Sequence, residues 1–387
     1  MDCRSANVDP WVIVAGGVHR HGGTDKANLA LIEYLLERQH DVHLITHFVD
    51  AELAQHPRLH VTTVPSPASS CFLGEQLLSY WGRRIAAQLR RTASPRVVVN
   101  GGNCLAGDIN WVHCVHHAWT HRMEAAPTAM RVKQWLATRS ARRREAMAIT
   151  KAKLIVANSD LTQRHLIEHL GIEPNRIHRV YLGAESTWLP PTERERSEAR
   201  KSFGIVDDSP VVTFAGAVGF DNNKGLDTLL RAWRELHRQS QWNGRLIVAG
   251  DGRALQTWKQ FVAAEGLQES IQFLGHTQRM PELYAASDVL VSPVTYESYG
   301  LNVQEALCRG VPAIVSAQAG VAERYPSELK DLLVNDPRNY VQLASRLLEW
   351  RPNLPLWKHK TRLFSDELRR YSWRDMASRF YELATAN

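Results

Sequence analysis

The residues best suited to chemistry lie together at 293–306, in the run PVTYESYGLNVQEA. The run follows an apolar strand pattern, DVLVS, and leads into a helix pattern that ends near Arg309-Gly310. Glu297 sits in the loop just before Gly300, and Glu305 lies eight residues later inside the helix. Between them Tyr299, Gly300, Leu301 and Asn302 make the first helical turn, whose N–H groups have no partner within a helix and point outward. With the positive end of the helix dipole they form an anion site suited to a diphosphate. Gly300, lacking a Cβ, lets a ligand approach the backbone. Glu297 can then accept hydrogen bonds from sugar hydroxyls on one side of the phosphates, and Glu305 from a ribose on the other. The plainer reading is a helix cap plus a surface carboxylate, which the strand–loop–helix context weakens.

Other residues carry weaker signals. Lys224 precedes Gly225 at a helix start, where a lysine opposes the helix dipole unless an anion lies near; a solvated lysine is the plain alternative. The loop AGGVHRHGG holds Gly16, Gly22 and Gly23 but no GxGxxG spacing, which argues against a dinucleotide. His113, His116 and His117, in NWVHCVHHAW, match no zinc spacing, and for each a plain core or surface role is as good a reading as a functional one.

These residues need a scaffold, and the chain supplies one. Its 387 residues suffice for two domains, and 44 % apolar with 22 % charged residues is ordinary for a soluble globular protein. Short apolar strands alternate with amphipathic helical stretches, the pattern of a parallel sheet covered by helices on both faces. The expected strands are 11–15, 42–46, 97–100, 154–158 and 177–181, then 211–215, 246–249, 271–274, 289–292 and 313–316. A helix is expected over 24–38, with Ala27, Leu31, Tyr34 and Leu35 on its apolar stripe. Ser159-Asp160 caps another that ends near Gly171. Gly183 to Pro191 reads as a hinge, followed by a polar helix, ERERSEARKSF, over 193–203. The fold class is therefore α/β, two doubly wound Rossmann-like domains with a ligand cleft at the strand ends.

The loop-and-helix motif with Glu297 and Glu305 resembles the Glu-x7-Glu motif of glycosyltransferase family 4, retaining enzymes of the GT-B fold. The resemblance covers nearly the whole chain. LIVANSDLTQRHLIEHLGIEPNRIHRVYLGAE, FAGAVGFDNNKGLDTLLRAW, VAGDG and IQFLGHTQRMPELYAASDVLVSP are similar to successive family segments. The resemblance implies an acceptor-side domain over 1–185, a nucleotide-sugar domain over 186–370 and a helix over 371–387 that returns to the first domain. In that final segment Trp373, Met376, Phe380 and Leu383 recur at helical spacing. It implies that Glu297 orients the donor sugar, that Ser298, Tyr299, Gly300, Leu301 and Asn302 hold the diphosphate and that Glu305 binds the ribose. Lys224, in the loop opened by Gly216, would neutralise the leaving diphosphate. Gly16, Gly22 and Gly23 would wall the donor, and a histidine would face the transferred sugar; position favours His113, with His116 as the alternate.

The implied activity is retaining hexosyl transfer from a UDP- or GDP-linked sugar to an unidentified glycan, lipid or small-molecule acceptor, with no cofactor. Metal-dependent transferases of the other major fold use an Asp-x-Asp pair, and here no two Asp residues lie two positions apart. Leaving-group charge would then fall to helix N–H groups and Lys224. One departure stands out: where the family usually carries an arginine before the lysine, this chain has Ala217 and Val218, and Arg253 is the available substitute. A GT-B epimerase, a phosphorylase or an inactive sugar-nucleotide-binding subunit are the competing classes, and the intact Glu297 and Glu305 oppose the last.

Five scattered cysteines without a CxxC pair suit a reducing cytosol, and the short apolar run at Trp11 ends in Gly16-Gly17 as a first strand does, unlike a signal peptide. No Asn-x-Ser/Thr sequon occurs. A net charge of +7 permits an anionic partner. The basic segment from Met130 to Arg144, MRVKQWLATRSARRR, with Trp135 and Leu136, is placed either on an anionic membrane surface at the inner face or as a solvated helix face. It lacks the features of a nucleic-acid site.

Overall fold

In the computed structural model, which describes residues 9–20, 22–66, 71–123, 126–239 and 242–386, every strand pair is parallel. The chain divides into two compact units, one of Met1–Thr120, Ala129–Gly183 and Trp373–Asn387, the other of His121–Thr128 and Ala184–Ser372. Parallel strands covered on both faces are nearly continuous runs of apolar residues. The central strands read WVIV, LIVA, VVTFA, VLVS and AIVS, and their residues are buried.

The first unit is built on β1 (Trp11–Val14), β2 (Val42–Thr46), β3 (Leu59–Thr63), β4 (Arg96–Val99), β5 (Ile109–Val112), β6 (Leu154–Ala157) and β7 (Ile177–Arg179), ordered β3-β2-β1-β4-β5-β6-β7. The second uses β8 (Val211–Ala215), β9 (Arg245–Ala249), β10 (Ile271–Gly275), β11 (Val289–Ser292), β12 (Ala313–Ser316) and β13 (Leu333–Val334), ordered β10-β9-β8-β11-β12-β13. In both sheets the order reverses beside the first strand. The crevice at the carboxyl ends there, between β1 and β4 or β8 and β11, is where doubly wound sheets take ligands.

The helices show why these residues fold as they do. In α1 (Gly23–Glu37) Ala27, Leu31, Tyr34 and Leu35 are buried. In α4 (Asp160–Leu170) Ser159 caps the first turn by accepting from the Thr162 N–H, and Gly171 ends it at φ 63°. The polar α5 (Glu193–Ser202) buries only Ala199. Arg196 Nη2 and Arg200 Nη1 hold it instead, at 2.7 and 3.4 Å from the Asp288 carboxylate. Lys358 of α11 (Leu354–Arg369) and the Val211 N–H complete that shell at 2.8 and 2.9 Å. Burial opposes the Asp288 charge, but Lys358 and Arg196 outweigh it and hold the carboxyl below its usual range.

The last helix, α12 (Trp373–Thr385), belongs to the first unit. Met376 and Phe380 are buried; Tyr381 stacks on Trp11 at 5.9 Å, and Ser378 accepts from the Tyr34 hydroxyl at 3.0 Å. Trp373 and Leu383 stay half-buried. Among the described residues no helix is long and apolar enough to cross a membrane, and Cys104, Cys114 and Cys308 form no disulfide. Cys3 lies outside the described residues.

Candidate active site

The second unit gathers the strongest motif at its switch point. The loop after β8 runs through Gly216 to Lys224 and ends at Gly225, which caps α6 (Leu226–His237) at φ 75°. The loop after β11 carries Glu297 and ends at Gly300, which caps α9 (Leu301–Cys308) at φ 107°. Asn223 ties the two loops together. Its Nδ2 donates to the Tyr296 carbonyl at 3.0 Å, and its carbonyl accepts the Thr295 N–H at 2.9 Å. The two turns touch so closely that a Cβ on Gly225 would lie 2.1 Å from the Pro293 carbonyl oxygen. This contact brings Lys224 and Glu297, 73 residues apart in sequence, into an ion pair between side chains that are 31 % and 20 % exposed.

The rest of the motif is fixed from behind. The Glu297 and Tyr299 carbonyls accept the N–H groups of Gly320 and Val321 at 2.9 and 2.6 Å. Tyr299 is buried, which pushes its hydroxyl up to about 12, and it donates to Gln304, itself bonded by Arg324 at 3.1 Å. The Asn302 side chain donates to the Ala215 carbonyl at 2.8 Å. Tyr299 and Asn302 are thus anchored through their side chains; α9 begins only at Leu301, so Tyr299 lies before the Gly300 cap and not in the first helical turn where the sequence pattern put it. Ser298 is buried and Leu301 half-buried. Glu305 stays half-exposed beside the buried Tyr284 hydroxyl, whose pKa rises through burial and the nearby Glu305 charge. Sequence reasoning missed Asn223, Tyr284 and Arg324; each acts through a contact that no spacing announces.

The loop after β8 also packs backbone on backbone. A Cβ on Gly250 would meet the Gly216 carbonyl at 1.9 Å, and one on Gly252 the Val218 carbonyl at 2.3 Å. Ala217 is exposed while Val218 is buried; Arg253 follows Gly252 and is exposed.

In the first unit, Gly16 and Gly22 are exposed at the carboxyl end of β1 and Gly23 opens α1; Gly22 adopts φ 78°. The Gly16 carbonyl accepts the His47 N–H at 3.2 Å. His113 and His116 follow β5 into different surroundings. The His113 ring lies 4.8 Å from Trp111, which packs on Phe380 at 4.5 Å, and burial lowers its pKa to about 3, so it is neutral. His116 instead meets the carboxylate of Glu145 in α3 (Thr128–Lys151) at 2.9 Å.

Comparisons with known proteins agree with this architecture. The model described as Glycosyltransferase Family 4 matches residues 21–187, and that described as Glycosyl transferases group 1 matches 195–354. D-inositol 3-phosphate glycosyltransferase of Corynebacterium aurimucosum is 27 % identical over 62 % of this chain and 64 % of its own length. Its namesake from Salinispora arenicola is 24 % identical over 84 % of this chain and 79 % of its own length. The chain thus spans less than two thirds of the Corynebacterium relative. WaaG, a glycosyltransferase involved in lipopolysaccharide biosynthesis, superposes with a TM-score of 0.77 at 18 % identity, over 97 % of this chain and 100 % of that one. Anabaena HepE, in complex with UDP and glucose, superposes at 0.70 with 16 % identity over 98 % and 100 %. At these identities the structures speak for the fold alone, which is GT-B. With both units matched in order and that fold shared along nearly the whole chain, the protein belongs to glycosyltransferase family 4.

Proposed function

We propose that this chain is a retaining, metal-independent glycosyltransferase that moves a hexosyl unit from a UDP- or GDP-linked sugar to an acceptor. The observation that carries the reading is the meeting of Lys224 and Glu297 beside the α9 N-terminus at the second unit's switch point. The diphosphate takes the N–H groups of the α9 first turn, the donor sugar meets Glu297 and the ribose meets Glu305. Arriving phosphates draw Lys224 from Glu297 and free that carboxylate to accept from sugar hydroxyls. As the glycosidic bond breaks, charge grows on the diphosphate where Lys224 and the helix N–H groups already stand. HepE, crystallised with UDP and glucose, supports this class of donor. The relatives named for D-inositol 3-phosphate make a phosphorylated polyol the first acceptor to try.

The test is incubation with UDP-, GDP- and ADP-sugars and inositol phosphate in EDTA, following the anomeric proton by NMR. A product of retained configuration is expected. An inverted product refutes the mechanism, and activity lost on chelation and restored by Mg or Mn refutes metal independence.

Peripheral membrane contact belongs to the same reading. In the first half of α3 Val132, Trp135 and Leu136 are 54, 61 and 55 % exposed. Arg131, Lys133, Arg139 and Arg143 stand exposed around them. An apolar stripe ringed by cations fits an anionic bilayer surface. Cosedimentation with anionic vesicles, weaker with zwitterionic ones and with Trp135→Ala, is expected; equal binding to both lipids refutes it.

A further inference from the structure

The first unit holds a carboxylate with no solvent exposure, Glu145. Its Oε1 and Oε2 both accept the His116 backbone N–H at 3.0 Å. Oε1 also meets His116 Nδ1 at 2.9 Å, and Oε2 meets His117 Nδ1 at 3.2 Å. A buried charge persists only where donors meet it in this way. The neighbouring arginines fix the setting. Arg142 donates to the carbonyls of His116 and Trp119 at 2.8 and 2.7 Å. Arg144 donates to those of Gly102 and Asn103, in the loop after β4, at 3.2 and 3.3 Å. One stretch of α3 therefore clamps the two loops leaving the carboxyl ends of β4 and β5, the sheet edge at which doubly wound folds take ligands. Both imidazoles still reach solvent, with side chains 35 % and 29 % exposed. With Nδ1 held by the carboxylate, each ring has Nε2 left for a ligand.

We propose that Glu145 is a positioning residue for glycosyl transfer, holding His116 by Nδ1 so that its Nε2–H donates a hydrogen bond to an electron-rich oxygen of the substrate. The inference rests on the transferase reading above. Only the imidazolium can donate from Nε2 while Nδ1–H stays on Glu145. Burial works against that charge, but the hydrogen bond and charge of Glu145, with Glu75 behind it, outweigh burial and Arg142 and raise the His116 pKa above 6.5. The charged and titratable groups around the ring are Glu145, Arg142 and Arg144 on α3, Glu75 on α2 (Cys71–Leu89), the adjacent His117 and, beyond Glu75, His47. The sign follows: transfer proceeds below the His116 pKa and declines as pH rises through it.

The experiment uses the full chain as wild type, Glu145→Gln, Glu145→Asp and His116→Gln, with a nucleotide sugar that the wild type consumes. Turnover is followed across the imidazole titration range, with histidine-ring NMR on the same proteins. Wild type is expected to lose turnover on the alkaline side. Glu145→Gln moves that loss to lower pH and slows transfer roughly 10- to 100-fold at neutral pH, the worth of one charge-assisted hydrogen bond. Glu145→Asp restores part of it, and His116→Gln abolishes the alkaline limb. The substrate whose KM rises identifies whether the held oxygen belongs to donor or acceptor. An unmoved limb in Glu145→Gln although its His116 resonance has shifted overturns the proposal. So does a limb that persists in His116→Gln, which decides the matter if Glu145→Gln does not fold. A wild type that consumes no nucleotide sugar overturns the transferase reading itself, a result distinct from active variants that keep the wild-type profile.

Discussion

Replacing Gly225 with alanine should cost turnover far more than stability. A Cβ at Gly225 would lie 2.1 Å from the Pro293 carbonyl oxygen, whereas real Cβ contacts essentially never fall below 3.0 Å. The loop bearing Lys224 must therefore withdraw from the loop bearing Glu297 by the difference, about 0.9 Å. The Thr295 N–H bond to the Asn223 carbonyl, now 2.9 Å, would stretch beyond hydrogen-bond range, and Lys224 would leave the place where charge develops. A misplacement of about 1 Å at a reacting centre costs on the order of 10²-fold in rate. Alanine at φ 75° adds about 1–2 kcal/mol of backbone strain, which must be separated from the displacement. Gly266→Ala does this: Gly266 has φ 69° and nothing within 4 Å of the place its Cβ would take, so it carries the strain without the push. The assay is kcat at saturating donor alongside the melting temperature of both variants. Gly225→Ala is expected to melt lower than Gly266→Ala, by the lost Thr295–Asn223 bond and the displaced loop, and to lose turnover while still folded, whereas Gly266→Ala keeps its turnover. Equal turnover in the two would refute the claim that the spacing of these loops sets the site.

Lys224→Ala should slow transfer by roughly 10- to 100-fold at saturating donor, since one charge-assisted contact to the leaving diphosphate is lost; near-normal turnover there, with loss in Arg253→Ala, would reassign the cation. Glu305→Ala should mainly raise KM for the donor, because a ribose contact is equal in ground and transition states, whereas Glu297→Ala should depress kcat. Equal effects on KM alone, with kcat intact, contradict these roles. Asp288→Asn leaves three cations without their shared carboxylate; after allowance for their partial exposure it should destabilise the protein by roughly 2–3 kcal/mol, and an unchanged melting temperature refutes the staple. Because the Asp288 carboxyl is held below its usual range, its contribution is present at neutral pH and fades only as pH falls through the folded value, below the ordinary aspartate value of about 3.9.

Much of the fold was legible where one physical demand dominated. Strands buried on both faces are nearly continuous in apolar residues, and 211–215, 289–292 and 313–316 read directly as the strands they are, as does 42–46 despite its half-buried His43. The β3 strand at Leu59–Thr63 escaped because it lies at the sheet edge, where only Leu59 is buried. β5 was missing from the apolar pattern, and only the resemblance put a strand end in NWVHCVHHAW, because INWV places a buried Asn110 in the run; that side chain is satisfied by the backbone of Gly101 at 2.9 and 3.0 Å. The motif holding Glu297 and Glu305 was visible because its parts are consecutive. The partners that hold it are not: Asn223 reaches Tyr296 across 73 residues, and Gly225 matters for a backbone contact that no side chain records. Glu145 had a faint signal, a single carboxylate directly after the basic run that ends at Arg144, but its purpose shows only when β5 brings His116 to it.

The most direct test of the central claim is calorimetric titration of the full chain with UDP- and GDP-sugars in EDTA, beside a melting curve at saturating ligand. The account predicts that at least one binds without added metal. At 100 times its dissociation constant it should stabilise the fold by roughly 2.7 kcal/mol, and Glu305→Ala should weaken that binding. If no nucleotide sugar binds, or if one binds equally well to Glu305→Ala, the donor does not occupy the switch point between β8 and β11, and the account fails.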